Sequence, residues 1–301
     1  MDVAEILPLL MFAALALLLF SGYPVAFVLG GIGLLFGFIG IALGEFTLYQ
    51  FGSIPSRIFG GIAENLILTA IPMFIFMGTM LERSGVARDL LNCLQVLLRR
   101  VPGGLALAVT LMGTILAATT GIIGASVVMM SLLALPVMER QNYSRELSTG
   151  TIAASGTLGI LIPPSIMLVI MADLLGRSVG NLFVAAVIPG FLLSSLYFLS
   201  TVVICIIKPS LAPRLADNVG PQTAGGVAVM VVRSFLPPVF LIIAVLGSIL
   251  GGFATPTEAA GVGAIGALLL AALNLVILPA LNVPEFHFEG EARMDMDDHP
   301  T

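Results

Sequence analysis

Two uncharged interruptions in long apolar runs are the features of this sequence that could do chemistry. The first is segment 119–125, which reads Thr-Thr-Gly-Ile-Ile-Gly-Ala between two apolar runs. The second is segment 155–165, in which Gly159 and the pair Pro163-Pro164 interrupt an otherwise apolar pattern. Because an unpaired backbone group costs several kcal/mol in lipid, such interruptions survive at depth only where they line a cavity or hold a ligand.

The two interruptions offer two kinds of ligand. Backbone carbonyl oxygens suit a small hard cation, whereas hydroxyl groups and the amide ends of half-helices suit an anionic solute. The hydroxyl candidates for solute binding are Thr119, Thr120, Ser155, Thr157 and Ser165. The alternative is that glycine and proline merely kink these helices, as they often do in membranes. Two neighbouring interruptions, both rich in hydroxyls and free of charge, favour a binding site.

The apolar runs around these interruptions predict the elements that position them. Runs 103–118 and 126–138 predict two helices of about 20 Å each, too short to cross a hydrocarbon core of about 30 Å comfortably. Such a pair is typical of a re-entrant hairpin that turns back near the middle of the membrane. In the second interruption, two prolines remove two amide donors and clash with carbonyls one turn earlier, which predicts a discontinuous helix.

Composition indicates an all-α polytopic membrane protein. The 301 residues are 58% hydrophobic and 10% charged, against roughly 25% charged residues in soluble domains. The N-terminus has no basic stretch typical of a cleaved signal, so we expect the first span to be retained. Outside the hairpin and the broken helix, spans are predicted at 6–20, 25–43, 66–81, 182–207, 227–250 and 259–281.

The pattern of these runs divides the chain into five regions. Residues 1–102 hold scaffold-like spans, an interfacial segment at 44–61 and an amphipathic helix at 86–100, suited to the membrane plane or to bracing moving elements. The remaining regions are a hairpin with a broken helix at 103–176, a connecting span and cytoplasmic loop at 177–226, two further spans at 227–283, and an acidic disordered tail at 284–301.

Charge and motifs exclude most enzyme classes and orient the chain. There is no HExxH, GxSxG or phosphate-binding loop, and His287 and His299 lie in the acidic tail, so we expect neither an enzyme nor a bound cofactor. Glu64, Asp173 and Glu258 lie near predicted span ends, where solvated acids are the simpler interpretation. Cation coupling through backbone carbonyls is therefore favoured over coupling through a buried carboxylate, with protons left open. Most basic residues fall in loops on one side of the membrane, which predicts that this side is cytoplasmic.

Three segments resemble the large membrane (permease) subunit of TRAP transporters, with similarity from about residue 6 to about residue 273. They are 119–126, 154–166 with its double proline, and 253–260 with its Thr-Pro-Thr-Glu-Ala motif. The resemblance implies a Na⁺-driven importer of a small organic acid, such as a C4-dicarboxylate, in the bacterial inner membrane. It also implies two partners, a small membrane subunit and a periplasmic solute-binding protein, with no nucleic acid involved.

The same resemblance implies an elevator mechanism and a set of cation ligands. In such transporters a domain of hairpins and broken helices slides against a scaffold. Backbone carbonyls would hold Na⁺, the coupling ion, and fall here on Ile123, Ser126, Gly159, Ile162 and Pro164. Relatives often have a serine-rich tip where this chain has isoleucine, glycine and alanine, a change that carbonyl ligation tolerates.

The resemblance further implies the first half of an inverted repeat. The second repeat begins at about residue 227 and stops after about residue 281, before a tail that is unlike the family. We therefore expect a truncated or split subunit. The alternatives are a non-transporting membrane module that binds only its small-subunit partner, and a member of another anion elevator family.

Overall fold

A computed structural model of the chain describes residues 3–121, 123–213, 220–221 and 223–277, without the side chains of 3–5, 117–120 and 277. The predicted acidic tail 284–301 lies outside the described residues. All regular elements among the described residues are helical, which confirms the all-α membrane fold. Five described helices are long and apolar enough to cross a membrane: Val25–Ala42, Ile123–Arg140, Val179–Ile207, Ala224–Leu250 and Pro256–Val276.

The first of two compact units covers residues 1–65. It contains α1 (Val3–Leu19), α2 (Val25–Ala42), α3 (Leu48–Phe51), α4 (Ser53–Ile58) and a π-helical turn, Phe59–Ala63. Helix α2 confirms the second predicted span, whereas the first is an apolar helix that is shorter than a candidate span. Segment 44–61 consists of short helices. A Cβ atom at Gly37 would lie 2.8 Å from a carbon of the Phe51 ring, so this glycine serves packing.

The second unit begins at residue 66 and holds both interruptions. Its helices are α5 (Ala70–Arg83), α6 (Val86–Leu98), α7 (Gly104–Thr120), α8 (Ile123–Arg140), α9 (Arg145–Thr157), α10 (Ile166–Leu174), α11 (Val179–Ile207), α12 (Ala224–Met230), α13 (Leu236–Leu250) and α14 (Pro256–Ala272). A π-helical turn, Val231–Phe235, joins α12 to α13, and another, Leu273–Ile277, follows α14.

Two apolar clusters hold the second unit together. One is built mainly by α6, α7 and α8, around Leu90, Met112 and Met130. The other joins α5, α10, α13 and α14, around Phe74 and Met77. Helix α7 packs against α5, α6, α8, α9, α11 and α13, so the hairpin arm that leads to the first interruption is central to the unit.

Helix α6 is the predicted amphipathic helix, and its place in the membrane plane or as a brace for moving elements stays a prediction. Its polar side chains Asn92 and Gln95 are buried together with its leucines. The reason is that α6 packs against α5 and α7 on one side and against α12 and the turn 231–235 on another. Amphipathic spacing indicated a helix with two faces, but it could not show that protein covers both of them.

The hairpin arms are also longer than predicted. α7 has 17 residues and α8 has 18, or about 25 and 27 Å at 1.5 Å per residue. The expectation of two arms of about 20 Å was wrong because residues assigned to a polar tip continue the helices instead. α8 reaches the length of a candidate span. The re-entrant course of the pair stays a prediction.

Candidate cation and solute site

The hairpin turn is tighter than the sequence indicated. α7 ends at Thr120 and α8 begins at Ile123, so the predicted tip 119–125 narrows to the turn at Gly121. Gly121 has a φ of +58°, in the left-handed region where a side chain costs about 1 to 2 kcal/mol. The side chains of Thr119 and Thr120 lie outside the described residues.

The predicted discontinuous helix is confirmed. α9 ends at Thr157, a 3₁₀ turn follows at Leu158–Ile160, and the chain becomes extended at Ser165 before α10 starts. The peptide bond between the two prolines is cis.

Two carbonyls lose their helical donors in this break. A helix would pair the Gly159 and Ile160 carbonyls with the amides four residues later, but Pro163 and Pro164 have no N–H. The Ser165 hydroxyl replaces one of them by donating to the Ile160 carbonyl at 2.7 Å. The Gly159 carbonyl is therefore the group that the prolines release from helical pairing.

The structure brings the hairpin turn and the break together. A Cβ atom at Gly121 would lie 3.0 Å from the Ile166 amide nitrogen, at the first residue of α10. A Cβ atom at Gly156, in the last turns of α9, would lie 3.3 Å from the Val127 Cα atom in α8. Only glycine permits both approaches, since each added Cβ would meet backbone at a distance that real Cβ atoms rarely reach.

The residues expected to offer carbonyl ligands lie at this junction. Ser126 is buried in the first turn of α8, and Ile123 is half-buried beside it. On the opposite side, Gly159, Ile162 and Pro164 are all buried. The expected ligands therefore lie on two neighbouring segments, a partly exposed one in α8 and a buried one in the break, and their role in binding stays a prediction.

The hydroxyl groups expected to bind solute are already engaged as donors. Ser155 donates to the Thr151 carbonyl and Thr157 to the Ala154 carbonyl, each at 2.7 Å. With Ser165 bonded to Ile160, all three described candidates present oxygen lone pairs rather than free protons. Donation to a carboxylate would require these hydroxyls to rotate first.

The start of α10 offers donors of another kind. The first amides of a helix have no intrahelical partner, and Ser165 does not cap them because its hydroxyl is turned to Ile160. The first amide that pairs with the preceding turn is that of Val169, which donates to the Ser165 carbonyl at 3.1 Å. The amides of residues 166–168 therefore suit an anion.

Sequence reasoning missed how α11 supports the break. The hydroxyls of Thr114 in α7 and Ser194 in α11 lie 2.6 Å apart, and a Cβ at Gly190 would lie 3.1 Å from the Leu161 carbonyl oxygen. The available signal was the spacing of small residues in α11, since Gly190, Ser194 and Thr201 recur on one buried face. The partners of these residues could not be predicted because they are 29 to 80 positions away in sequence.

Glu258, one of the acidic residues near the predicted span ends, caps a helix. Glu258 is exposed, and its Oε2 atom accepts hydrogen bonds from the Thr255 amide and hydroxyl at 2.8 Å each. Thr257 donates to the Leu66 carbonyl at 2.7 Å. The Thr-Pro-Thr-Glu-Ala motif therefore caps α14 and ties it to the chain before α5, which confirms the solvated interpretation of Glu258. Within the described residues, no three His, Cys, Asp or Glu side chains gather around a common point.

The base of the hairpin is fixed by a buried tyrosine. Tyr143, in the loop between α8 and α9, accepts a hydrogen bond from the Leu105 amide at 3.3 Å. Burial raises the pKa of Tyr143 to about 12, so the phenol stays protonated at physiological pH.

Comparison with known proteins decides the family. Residues 12–296 match the family model described as "Tripartite ATP-independent periplasmic transporter, DctM component". The chain belongs to this family. The match runs past residue 273, where the resemblance seen in the sequence was expected to end. DctM proteins are transporter components, which confirms the prediction that the chain is not an enzyme. This family member is a multi-pass protein of the bacterial inner membrane.

Curated relatives agree with this membership. The C4-dicarboxylate TRAP transporter large permease protein DctM of Pseudomonas aeruginosa is 35% identical over 67% of this chain and 46% of its own length. The DctM protein of Rhodobacter capsulatus is 31% identical over 92% of this chain and 63% of its own length. The ectoine TRAP transporter large permease protein TeaC of Halomonas elongata is 27% identical over 92% of this chain and 62% of its own length. This DctM-family chain thus spans about half to two thirds of the length of these relatives.

Proposed function

We propose that this chain acts as the membrane permease subunit of a tripartite, Na⁺-coupled secondary transporter. It would import a small organic acid delivered by a periplasmic binding protein, together with a small membrane subunit. The observation that carries the proposal is the approach of Gly121 to Ile166, because it puts the hairpin turn against the start of α10 in a chain of the DctM family.

In this proposal Na⁺ is held by backbone oxygens. The Gly159 carbonyl, released by Pro163, joins those of Ile162 and Pro164 on one side. The carbonyls of Ile123 and Ser126 complete the set from α8. Carbonyl oxygens suit Na⁺ because they offer partial negative charge without bringing a full charge into the membrane.

The solute carboxylate would sit against the amide end of α10. A helix N-terminus carries about half a positive charge and directs unpaired N–H groups outward, so it favours an anion without any basic residue. The hydroxyls of Thr119, Thr120, Ser155, Thr157 and Ser165 would surround it. A C4-dicarboxylate is the proposed class, since several relatives are named for that substrate.

Transport would follow an elevator motion of the hairpin and broken helix, residues 103–176, against a scaffold. The close approaches at Gly121 and Gly156 support movement of hairpin and break as one body, because neither segment can shift alone without opening a packed contact.

Uptake by a reconstituted complex tests the function. The chain is inserted into liposomes with its small membrane subunit and supplied with the binding protein and labelled succinate. We expect uptake that needs both the binding protein and an inward Na⁺ gradient. Uptake that persists when K⁺ replaces Na⁺ would overturn the coupling, and uptake without the binding protein would overturn the tripartite assignment.

A further inference from the structure

A cleft lined by several hydroxyl side chains lies along α9, before the break. It has a volume of about 640 Å³ and is walled by α7, α9 and α11. Residues along it include Thr110, Thr151, Ser155, Tyr197 and Ser200. Such a concentration of polar side chains is unusual for a surface that faces hydrocarbon.

The composition of α9 differs from that of a lipid-facing helix, and two of its hydroxyl residues, Thr151 and Ser155, line the cleft. Of its 13 residues, only Leu147 and Ile152 are large and apolar, whereas five carry a hydroxyl: Ser148, Thr149, Thr151, Ser155 and Thr157. In α10, by contrast, every residue except Asp173 is apolar. A polar half-helix at membrane depth is tolerated where water reaches it.

The cleft runs from the loop before α9 to the last turn of α9. Glu146 lines one end and Ser155 the other, and nine residues of helix separate them by about 14 Å. Tyr197 also lines the cleft, and its ring packs against Leu158 and Ile162 in the break. The inner end of the cleft is therefore one side chain away from the proposed Na⁺ ligands.

The chemistry of the lining favours a cation. Thr110 donates to the Ala106 carbonyl, Ser155 to Thr151 and Ser200 to Tyr197, at 2.7 to 3.0 Å. These hydroxyls direct their protons into the helices and their lone pairs outward. Among the described residues that line the cleft, Glu146 is the one ionised side chain. Arg145 beside it lies 3.9 Å from Glu139.

We propose that this cleft is an aqueous route by which Na⁺ passes between the predicted cytoplasmic face and the break. The inference rests on the proposed function, because it supplies the path for the ion of that same site. The Glu146 carboxylate at the outer end of the cleft would repel an anionic solute, so Na⁺ and solute would use different routes, although Ser155 at the inner end borders both the cleft and the proposed solute site.

Thiol labelling tests whether water and cations enter the cleft. Ser200→Cys places a thiol in the cleft, and Ser195→Cys is the matched control on α11, since both serines are exposed and bonded to their own helix. The native Cys93 and Cys205 are buried, so the unsubstituted chain gives the background. Thiols react as thiolates, which form only where water reaches.

In membrane vesicles we expect Ser200→Cys to react with a cationic methanethiosulfonate about tenfold faster than Ser195→Cys. It should also react faster with the cationic than with the anionic reagent, and Glu146→Gln should reduce that preference about threefold. Equal rates at the two positions, or faster reaction with the anionic reagent, would overturn the proposal. Labelling needs no transport, so its outcome is separate from any failure of the proposed function.

Blocking the cleft tests whether Na⁺ uses it. A side chain at Gly150 would enter open space in the cleft, and one at Gly261 of α14 also meets nothing within 4 Å. We expect Gly150→Leu to slow Na⁺-driven uptake about tenfold with an unchanged KM for solute, while Gly261→Leu transports normally. Unchanged uptake in Gly150→Leu would overturn the route.

Discussion

The second unit contains two proline pairs, and only one of them breaks a helix. Pro163-Pro164 separates α9 from α10, with Ser165 extended at φ −118° and ψ 132°. Pro237-Pro238 lies in the first turn of α13, and the segment Ala224–Leu250 remains one candidate span.

The neighbours of each pair explain the difference. Before Pro237 the helix widens into a π turn, where the Leu236 amide donates to the Val231 carbonyl five residues earlier. The helix therefore continues although Pro237 and Pro238 have no amide N–H. Before Pro163 the chain has Gly156 and Gly159, and the Ser165 hydroxyl takes over the Ile160 carbonyl. A proline pair therefore interrupts the helix here only where neighbouring residues hold the break open.

Restoring the missing amides should give the largest effect. Pro163→Ala with Pro164→Ala supplies N–H groups to the Gly159 and Ile160 carbonyls, so the helix can close. We expect the Na⁺ affinity measured from uptake to fall by about 100-fold, or about 2.7 kcal/mol. The matched double variant Pro237→Ala with Pro238→Ala should stay within about threefold of the original. Equal losses in both would remove the distinction between the two pairs.

The glycine of the hairpin turn gives the next effect. Gly121→Ala and Gly252→Ala both place a side chain at positive φ, at a cost of about 1 to 2 kcal/mol each. Only the first meets a neighbour, the Ile166 nitrogen at 3.0 Å, because Gly252 has open space around it. We expect Gly121→Ala to lower the Na⁺ affinity about tenfold and Gly252→Ala to leave it unchanged. Titration of uptake against Na⁺ measures this, and similar affinities in the two variants would contradict it.

The replacement donor at the break should have a smaller effect. Ser165→Ala leaves the half-buried Ile160 carbonyl without its hydroxyl donor, which costs about 1 kcal/mol of unfolding free energy. Ser248→Ala in α13 removes a similar bond, to the Val245 carbonyl at 2.8 Å, but that carbonyl lies inside a continuous helix. We expect Ser248→Ala to lower the unfolding free energy by about 0.5 kcal/mol or less. Unfolding in mixed micelles gives both values, and the account fails if Ser248→Ala is the costlier change.

The smallest effect is expected at the base of the hairpin. Tyr143→Phe removes the acceptor of the Leu105 amide and should cost about 1 kcal/mol without changing Na⁺ affinity. The folded-state pKa of Tyr143 is about 12, above the ordinary value near 10. Its contribution to stability is therefore complete below about pH 10 and lost as the pH rises toward 12.

Tyr49→Phe is the control, since Tyr49 is 91% exposed. Unfolding measured between pH 8 and 12 should show a smaller loss of stability at alkaline pH in Tyr143→Phe and the full loss in Tyr49→Phe. A full alkaline loss in Tyr143→Phe would show that another group is responsible.

Local chemistry let the sequence predict the break but not its surroundings. Pro163 and Pro164 act on carbonyls four residues away, so their effect could be read directly from the chain. The length of the hairpin tip could not, because Thr119 and Ala125 are compatible with helix as well as with loop. The burial of Gln95 and the Thr114–Ser194 contact depend on distant segments, which a single sequence does not identify.

Hydrogen exchange in Na⁺ and in choline tests the central claim most directly. If the hairpin turn and the break hold one cation together, Na⁺ should slow amide exchange in segments 119–126 and 158–168 over the same concentration range, and leave segment 230–240 unchanged. Protection of only one of the first two segments, or equal protection at the second proline pair, would contradict a shared site.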